Sequence, residues 1–181
     1  MKIAPFKIDN FISNIDQNKE VFCVVIFGKD LDLISLRAKK IANKIIKDDK
    51  DPFTSCFIDD KKIEEEVKIA DEFHAISMMG GRKLITINSV KSNIKVCDQL
   101  KNIFAKKPSQ DSNFILVNCG DLAVSSKLRK LAENNDNIAA IACYEENDRD
   151  LLQFIKTEFR QKEIIINSEL AEVIIARVGN S

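Results

Sequence analysis

The run Val21-Phe22-Cys23-Val24-Val25-Ile26-Phe27 places seven apolar residues in succession, and Gly28 follows it directly. An unbroken run of this kind, rich in β-branched and aromatic residues, predicts a strand that is buried on both faces. The chain then continues with apolar residues at helical spacing and lysines between them. A doubly buried strand followed by an amphipathic helix is typical of a parallel sheet that helices cover on two sides.

The same alternation continues along the chain. Four shorter apolar runs predict further strands at Ser55–Ile58, Leu84–Ile87, Phe114–Val117 and Ile138–Cys143. The apolar stripes of the helices between the strands are Ile34, Ala38, Ile41 and Ile45; Ile63, Val67 and Ala70; Cys97, Leu100 and Phe104; and Leu128, Leu131 and Ala132. We therefore predict an α/β domain with a five-stranded, mostly parallel sheet flanked by helices.

The character of the sequence changes after Tyr144, where the acidic and polar stretch Glu145-Glu146-Asn147-Asp148 predicts a domain junction. Apolar residues at helical spacing follow, and Asn167 or Ser168 is placed to cap a last helix. We predict a first domain at 1–143 and a small helical domain at 144–181. Two or three helices make a poor core, so the second unit is expected to be incomplete or to pack elsewhere.

Charge and cysteine content exclude whole classes of protein. The 28 basic and 28 acidic residues give a net charge of +0, so no global positive field draws the chain onto nucleic acid or an anionic membrane. The five cysteines form no C-x-x-C pair, and we expect core thiols in a reducing cytosol. With no secretory signal and no membrane-length apolar stretch, we expect a soluble, cytoplasmic protein without membrane contact.

A nucleotide site is the usual expectation for a parallel α/β sheet, and the glycines argue against it. The chain has five glycines, and none of them have the spacing of a phosphate loop or of a dinucleotide fingerprint. Asp30 and Asp32 follow the first strand, where they would repel phosphates. The alternative that stays open is a nucleotide-dependent enzyme with an atypical acidic site around Asp30, Asp32, Asp59 and Asp60.

Other catalytic or metal chemistry finds little support. His74 is the single histidine, which excludes a metal site built on several histidines. It continues the stripe of Ile63, Val67 and Ala70, so we expect a partly buried helix histidine. No nucleophile–base pair is recognisable, and we predict no catalytic residue, metal or cofactor.

An unusual segment separates a predicted helix from the strand at Leu84. Met78 and Met79 are adjacent, Ser77 precedes them, and Gly80-Gly81-Arg82 follows. The two glycines permit a sharp turn, and adjacent side chains diverge, so a tight turn buries both methionines with difficulty. Either the methionines cover the edge of the sheet, or they form a projecting apolar tip that fits a pocket on a partner.

A basic cluster on the predicted helix after Ser126 is the third candidate site. Lys127, Arg129 and Lys130 are either a solvated helix face or a contact to DNA, and salt-dependent binding to a primer–template would separate the two.

These segments, in order, resemble the delta subunit family of bacterial DNA polymerase III over nearly the whole chain. The matching pieces are Phe27-Gly28-Lys29-Asp30 with Arg37-Ala38; Asp51-Pro52-Phe53; Ser77-Met78-Met79-Gly80-Gly81-Arg82-Lys83-Leu84; Gly120-Asp121 with Ser126-Lys127-Leu128-Arg129-Lys130-Leu131; Cys143-Tyr144 before Asp148-Arg149-Asp150-Leu151; and Val178-Gly179-Asn180.

The resemblance implies an AAA+-like first domain without the ATP motif and a lid-like second domain from about Tyr144. It implies a non-catalytic clamp-loader subunit in which Met78 and Met79 enter a hydrophobic cleft on the sliding clamp (the beta subunit) and favour an open ring, with Ser77, Gly80, Gly81 and Arg82 as neighbours in the contact. Further implied partners are the gamma/tau and delta prime loader subunits, and DNA indirectly.

This sequence departs from the family in two ways. Family members often carry Leu-Phe at the tip, and the softer Met-Met pair implies a weaker grip. The family's helical collar domain, which joins the loader ring, is missing, so we expect a fragment that binds the clamp without assembling into the loader.

Overall fold

The computed structural model describes residues 1–46, 51, 53–59, 63, 68–76, 81–89, 94–144, 156, 159, 166, 167, 170 and 173. The chain divides into two compact units, Met1–Cys143 and Tyr144–Ser181, each of which is described by itself. Within the described ranges, no helix combines the length and the apolar character that crossing a bilayer requires.

Five parallel strands form the sheet of the first unit. They are β1 (Cys23–Gly28), β2 (Ser55–Asp59), β3 (Leu84–Ser89), β4 (Phe114–Cys119) and β5 (Ile138–Cys143). Their order across the sheet is β2-β3-β4-β1-β5, and every neighbouring pair is parallel. The predicted α/β class with a five-stranded parallel sheet is confirmed. All strands start at one edge of the sheet, the amino edge, and end at the other, the carboxyl edge.

Five α-helices accompany the strands in the described part of this unit. They are α1 (Ile8–Ser13), α2 (Leu31–Ile45), α3 (Ile69–His74), α4 (Ile94–Ile103) and α5 (Lys127–Asn134). Short 3₁₀ helices at Pro5–Lys7 and Ile15–Gln17 flank α1. Ser126 caps α5, because its hydroxyl accepts a hydrogen bond from Arg129 N.

The two faces of β1 belong to different parts of the core. Val24 and Ile26 join the cluster that α1 and α2 bury on one face. On the opposite face, the ring of Phe27 lies under the Arg129 guanidinium of α5, 5.0 Å from ring centre to guanidinium carbon. Because residues alternate between the faces of a strand, β1 needs apolar side chains at every position, as its sequence shows.

The cysteines agree with the expected core thiols. Cys23, Cys97, Cys119 and Cys143 are buried, and Cys56 is half-buried. Burial raises the pKa of Cys23, Cys97 and Cys143, so these thiols stay protonated at neutral pH. The Arg37 guanidinium opposes this rise at Cys143.

The first residues of the chain cover the outer edge of β5, which the sequence pattern did not predict. Lys2 pairs in parallel with Ala140, and the backbone bonds Ile3 N to Ala140 O (3.0 Å) and Ala140 N to Met1 O (2.9 Å) hold the pair. This pairing satisfies backbone groups that an open sheet edge would otherwise expose.

One prediction about the helix before β3 is wrong. Lys68 has an extended backbone (φ −87°, ψ 109°), so α3 starts anew at Ile69 and does not continue the stripe of Ile63. Ile69 and Phe73, four residues apart, face the core. His74 therefore lies on the solvent side and is exposed, with its ring at the edge of Phe73.

In the second unit the structure describes separate residues of helical segments. Asn167 Oδ1 accepts a hydrogen bond from Leu170 N at 2.9 Å, which is the geometry of a helix N-cap, as predicted for Asn167 or Ser168. The lid-like nature of this unit stays a prediction.

Candidate functional site

The predicted tip segment, Ser77 to Arg82, connects α3 to β3, and the chain therefore enters the sheet after it at the amino edge. Ser77, Met78, Met79 and Gly80 lie outside the described residues. The structure describes the residues on either side of these four, His74–Ile76 before them and Gly81–Lys83 after them, and we call these the flanks of the tip. The geometry of the site is therefore that of its flanks.

The flank before the tip carries an apolar residue that sequence reasoning missed. Ile76 is 92% exposed, the largest exposed fraction among the large apolar residues described. Its side chain gains nothing from the core and is available to a partner that covers the segment. The signal in the sequence was the apolar residue directly before Ser77.

The flank after the tip begins with a left-handed glycine. Gly81 has φ +82°, and no atom lies within 4 Å of where a Cβ would stand. Glycine is favoured here by backbone conformation and not by lack of space. The prediction that the chain turns sharply at the glycines therefore has a basis at Gly81.

Arg82, predicted as a clamp contact, is held by its own protein. Its guanidinium stacks over the ring of Phe22, 5.2 Å from the ring centre, and donates to Gln110 O at 3.0 Å. Burial lowers the pKa of Arg82, and the Asp111 carboxylate opposes that shift. These contacts connect Arg82, at the end of the segment, to Phe22 and to the loop before β4.

A cavity of about 510 Å³ opens beside these flanks. The end of α3, Gly81 and Arg82 line one part of it, and the loop Ser109–Ser112 lines the other. The loop is fixed at its base by the bond from Ser112 N to Ser109 O at 3.1 Å.

The carboxyl edge, where parallel sheets commonly bind nucleotides, is closed around β1 by the chain itself. At Gly28, β1 and β5 lie too close together for any side chain, because a Cβ there would stand 1.8 Å from Cys143 O. Asp30 Oδ1 accepts from Leu33 N at 2.9 Å and so caps α2. The helix end that would bind a phosphate already holds a carboxylate.

Two strands, β3 and β4, separate Asp59, at the end of β2, from Asp30 and Asp32, which follow β1. Asp32 and Asp59 are exposed, and Asp60 lies outside the described residues. Arg37 of α2 is a buried cation that donates to Ala142 O at 3.1 Å and to Cys143 Sγ at 3.4 Å. Where the structure describes the chain, no group of three or more metal-ligating side chains could hold a metal ion.

The basic cluster of α5 divides into two kinds of residue. Lys127 and Lys130 are exposed. Arg129 instead binds Glu133 through Nε (2.9 Å) and Leu122 O through Nη1 (3.0 Å) while it stacks on Phe27. A contact to DNA stays a prediction, and in this arrangement the two lysines would supply it.

Comparison with known proteins gives one family match. Residues 24–144 match the family model described as DNA polymerase III, delta subunit. This range begins at the second residue of β1 and includes the tip segment and every later strand of the sheet. Among curated proteins, no match to the chain is found.

Solved structures agree on the fold. The Bacillus subtilis DNA clamp loader delta protein matches with a TM-score of 0.58 at 18% identity, over 94% of this chain and 51% of that one. A gamma subunit-related protein of DNA polymerase III from Thermotoga maritima matches with a TM-score of 0.50 at 11% identity, over 88% of this chain and 54% of that one. This chain thus spans about half the length of each, and the likeness confirms the AAA+-like fold.

The family model covers well over half of the chain, with the tip segment inside the matched range, and the fold matches that of a clamp loader delta protein. The chain therefore belongs to the DNA polymerase III delta subunit family.

Proposed function

We propose that this chain grips the sliding clamp through the segment Ser77–Arg82 and favours an opened ring during DNA replication, without hydrolysing ATP. Met78 and Met79 are the apolar side chains that enter the clamp's hydrophobic cleft. Full burial of two such side chains would contribute about 3–6 kcal/mol before the costs of ordering.

One observation carries the proposal: the delta subunit family match spans the whole tip segment with both of its flanks. The flanks support it independently. Ile76 is 92% exposed just before the segment, and Arg82, the last residue of the segment, is held by Phe22 and Gln110. A segment with a fixed base and an exposed apolar approach is suited to entering a groove on another protein.

The carboxyl edge supports the non-catalytic part of the proposal. The Asp30 carboxylate occupies the start of α2, where it would repel a phosphate. The close approach of Gly28 to Cys143 brings β1 against β5. Energy from ATP would then come from other subunits. We propose gamma/tau and delta prime as those further partners of the full-length protein, DNA as an indirect one, and the cytoplasm as the location.

The affinity of the chain for the host's sliding clamp tests the proposal. Changing Met78→Ala and Met79→Ala together should weaken binding by about 2 kcal/mol or more, roughly thirtyfold in Kd, because it removes the side chains that fill the cleft. Isothermal titration calorimetry with purified clamp measures the change.

A matched control comes from the opposite edge of the sheet. Leu31 and Val124 are 64% and 69% exposed, so Leu31→Ala with Val124→Ala also removes two large apolar surface side chains. This control should bind the clamp like the parent. Equal binding by the methionine variant and the parent would refute the role of the tip. If both double variants lost the same amount of clamp affinity, the assignment of the binding site to the amino edge would be refuted.

Ring opening is tested separately from binding. With fluorophores on the two sides of a clamp subunit interface, saturating amounts of the chain should increase their mean separation, and the methionine variant should not at the same concentration. Tight binding with an unchanged separation would reduce the proposal to clamp binding alone.

A further inference from the structure

A buried asparagine joins the two flanks of the tip segment. Asn113 precedes β4 directly and is 1% exposed. Its Nδ2 donates to Glu72 O at 2.9 Å and to Ala75 O at 2.8 Å, both before the tip. Its Oδ1 accepts from Lys83 N at 2.9 Å, directly after the tip. One side chain therefore fixes both ends of residues 76–82 to each other.

An ion pair closes the same gap on the outside. Lys83 Nζ lies 2.5 Å from Glu72 Oε2, and the two side chains are 18% and 34% exposed. The backbone adds to the connection, because Asn113 N donates to Phe73 O at 3.3 Å and Phe114 N donates to Lys83 O at 2.9 Å. We call Asn113 together with the Glu72–Lys83 pair the clasp.

The hydrogen bonds of Asn113 satisfy backbone groups on both sides of the tip. The last carbonyls of a helix lack the usual partner four residues on. The Glu72 carbonyl accepts a long backbone bond, from Ala75 N at 3.4 Å, and Ala75 follows α3 directly. An amide side chain is able to donate twice and accept once, which satisfies both carbonyls and the N–H of Lys83. An aliphatic residue at 113 would leave three backbone groups without these partners.

We propose that the clasp positions the tip segment for binding to the clamp, with Asn113 as a positioning residue that does not itself touch the partner. This inference rests on the proposed function. At 1% exposure, Asn113 is inaccessible to another protein, so any effect on binding must act through the flanks.

The physical reason is preorganisation. A loop whose ends are held at a fixed separation has fewer conformations to lose when a partner orders it. Releasing the clasp frees both ends, so the tip binds with the same contacts and a larger entropic cost. The loss should therefore appear in clamp affinity even when the domain stays folded.

The test compares Asn113→Ala with Ile12→Ala, a change in the core under α1, where Ile12 is 3% exposed. Unfolding in urea is measured first, and clamp affinity is then measured without urea at a temperature where both variants are folded. Asn113→Ala should weaken clamp binding about tenfold, because the released flanks must be ordered again when the clamp binds. Ile12→Ala should leave the affinity unchanged.

A charge exchange supplies a second readout that does not depend on Asn113. Lys83→Glu alone sets two carboxylates against each other and should weaken binding about fivefold. Adding Glu72→Lys restores an ion pair of reversed order and should return the affinity to within about twofold of the parent. Direct contact of Lys83 with the clamp would give no such rescue.

The methionine double variant, measured beside these, separates the two levels of the proposal. If the parent binds and the methionine variant does not, but Asn113→Ala binds like the parent and the exchange gives no rescue, the clasp is refuted while clamp binding stands. An equal loss in Ile12→Ala would likewise refute positioning, since destabilisation alone would then explain the effect. If the parent itself does not bind, the proposed function fails.

Discussion

Gly81 has a backbone φ of +82°, and open space surrounds the position where a side chain would begin. A β-branched residue would strain the backbone there without meeting a neighbour. We therefore predict that Gly81→Val lowers the free energy of unfolding by about 1–2 kcal/mol. Gly81→Asn should cost clearly less, because asparagine tolerates this conformation.

Urea denaturation of both Gly81 variants beside the parent checks this prediction. Equal stability of the parent and Gly81→Val would show that the left-handed conformation is not maintained in solution. Equal losses for valine and asparagine would point to a cause other than backbone conformation.

Single residues also show the limit of sequence reasoning at the site. The two glycines predict a turn from local chemistry alone, and Gly81 has the required conformation. The stacking of Arg82 on Phe22 and its bond to Gln110 depend on chain segments far apart in sequence. No local pattern contains that information, and the role of Asn113 could not be predicted for the same reason.

At the scale of elements, the strands were predictable, whereas α1 and the start of α3 were not. Continuous apolar runs identify buried strands, and β5 begins and ends at the predicted residues. α1 has six residues and depends on packing against α2, so its own sequence gives a weak signal. The break at Lys68 moved the buried stripe of α3 to Ile69 and Phe73, which is why His74 is exposed.

The start of α2 gives a prediction about an element. Asp30→Ala removes the cap at Leu33 N and should lower the free energy of unfolding by about 1 kcal/mol, while Asp30→Asn, which keeps a capping oxygen, should cost less. Denaturation of the two variants measures the difference. Equal losses would show that the carboxylate charge, and not the cap, is what α2 requires.

The same element tests the alternative of an acidic nucleotide site. In the parent, ATP or GTP with Mg²⁺ at millimolar concentration should leave the melting temperature unchanged, because a ligand that binds the folded state would raise it. A clear rise that Asp30→Ala abolishes would establish a nucleotide site at the carboxyl edge and revive that alternative.

The whole molecule divides its two sheet edges between different tasks. The carboxyl edge is closed around β1 by Gly28, Asp30 and Arg37, whereas the amino edge carries the fixed flanks and exposed Ile76. The range that matches the delta subunit family includes residues of both edges. The sequence predicted the sheet and the missing phosphate loop, but the interaction of the tip with a partner is a property of two surfaces and requires an experiment.

The direct measurement is amide hydrogen exchange of the chain, free and in complex with the sliding clamp, followed by mass spectrometry. We predict slower exchange in the complex for peptides that span residues 76–82, with no change at Gly28–Leu33 on the carboxyl edge. Protection at Gly28–Leu33 without protection at 76–82 would contradict clamp binding through the tip, as would a stable complex in which neither region changes.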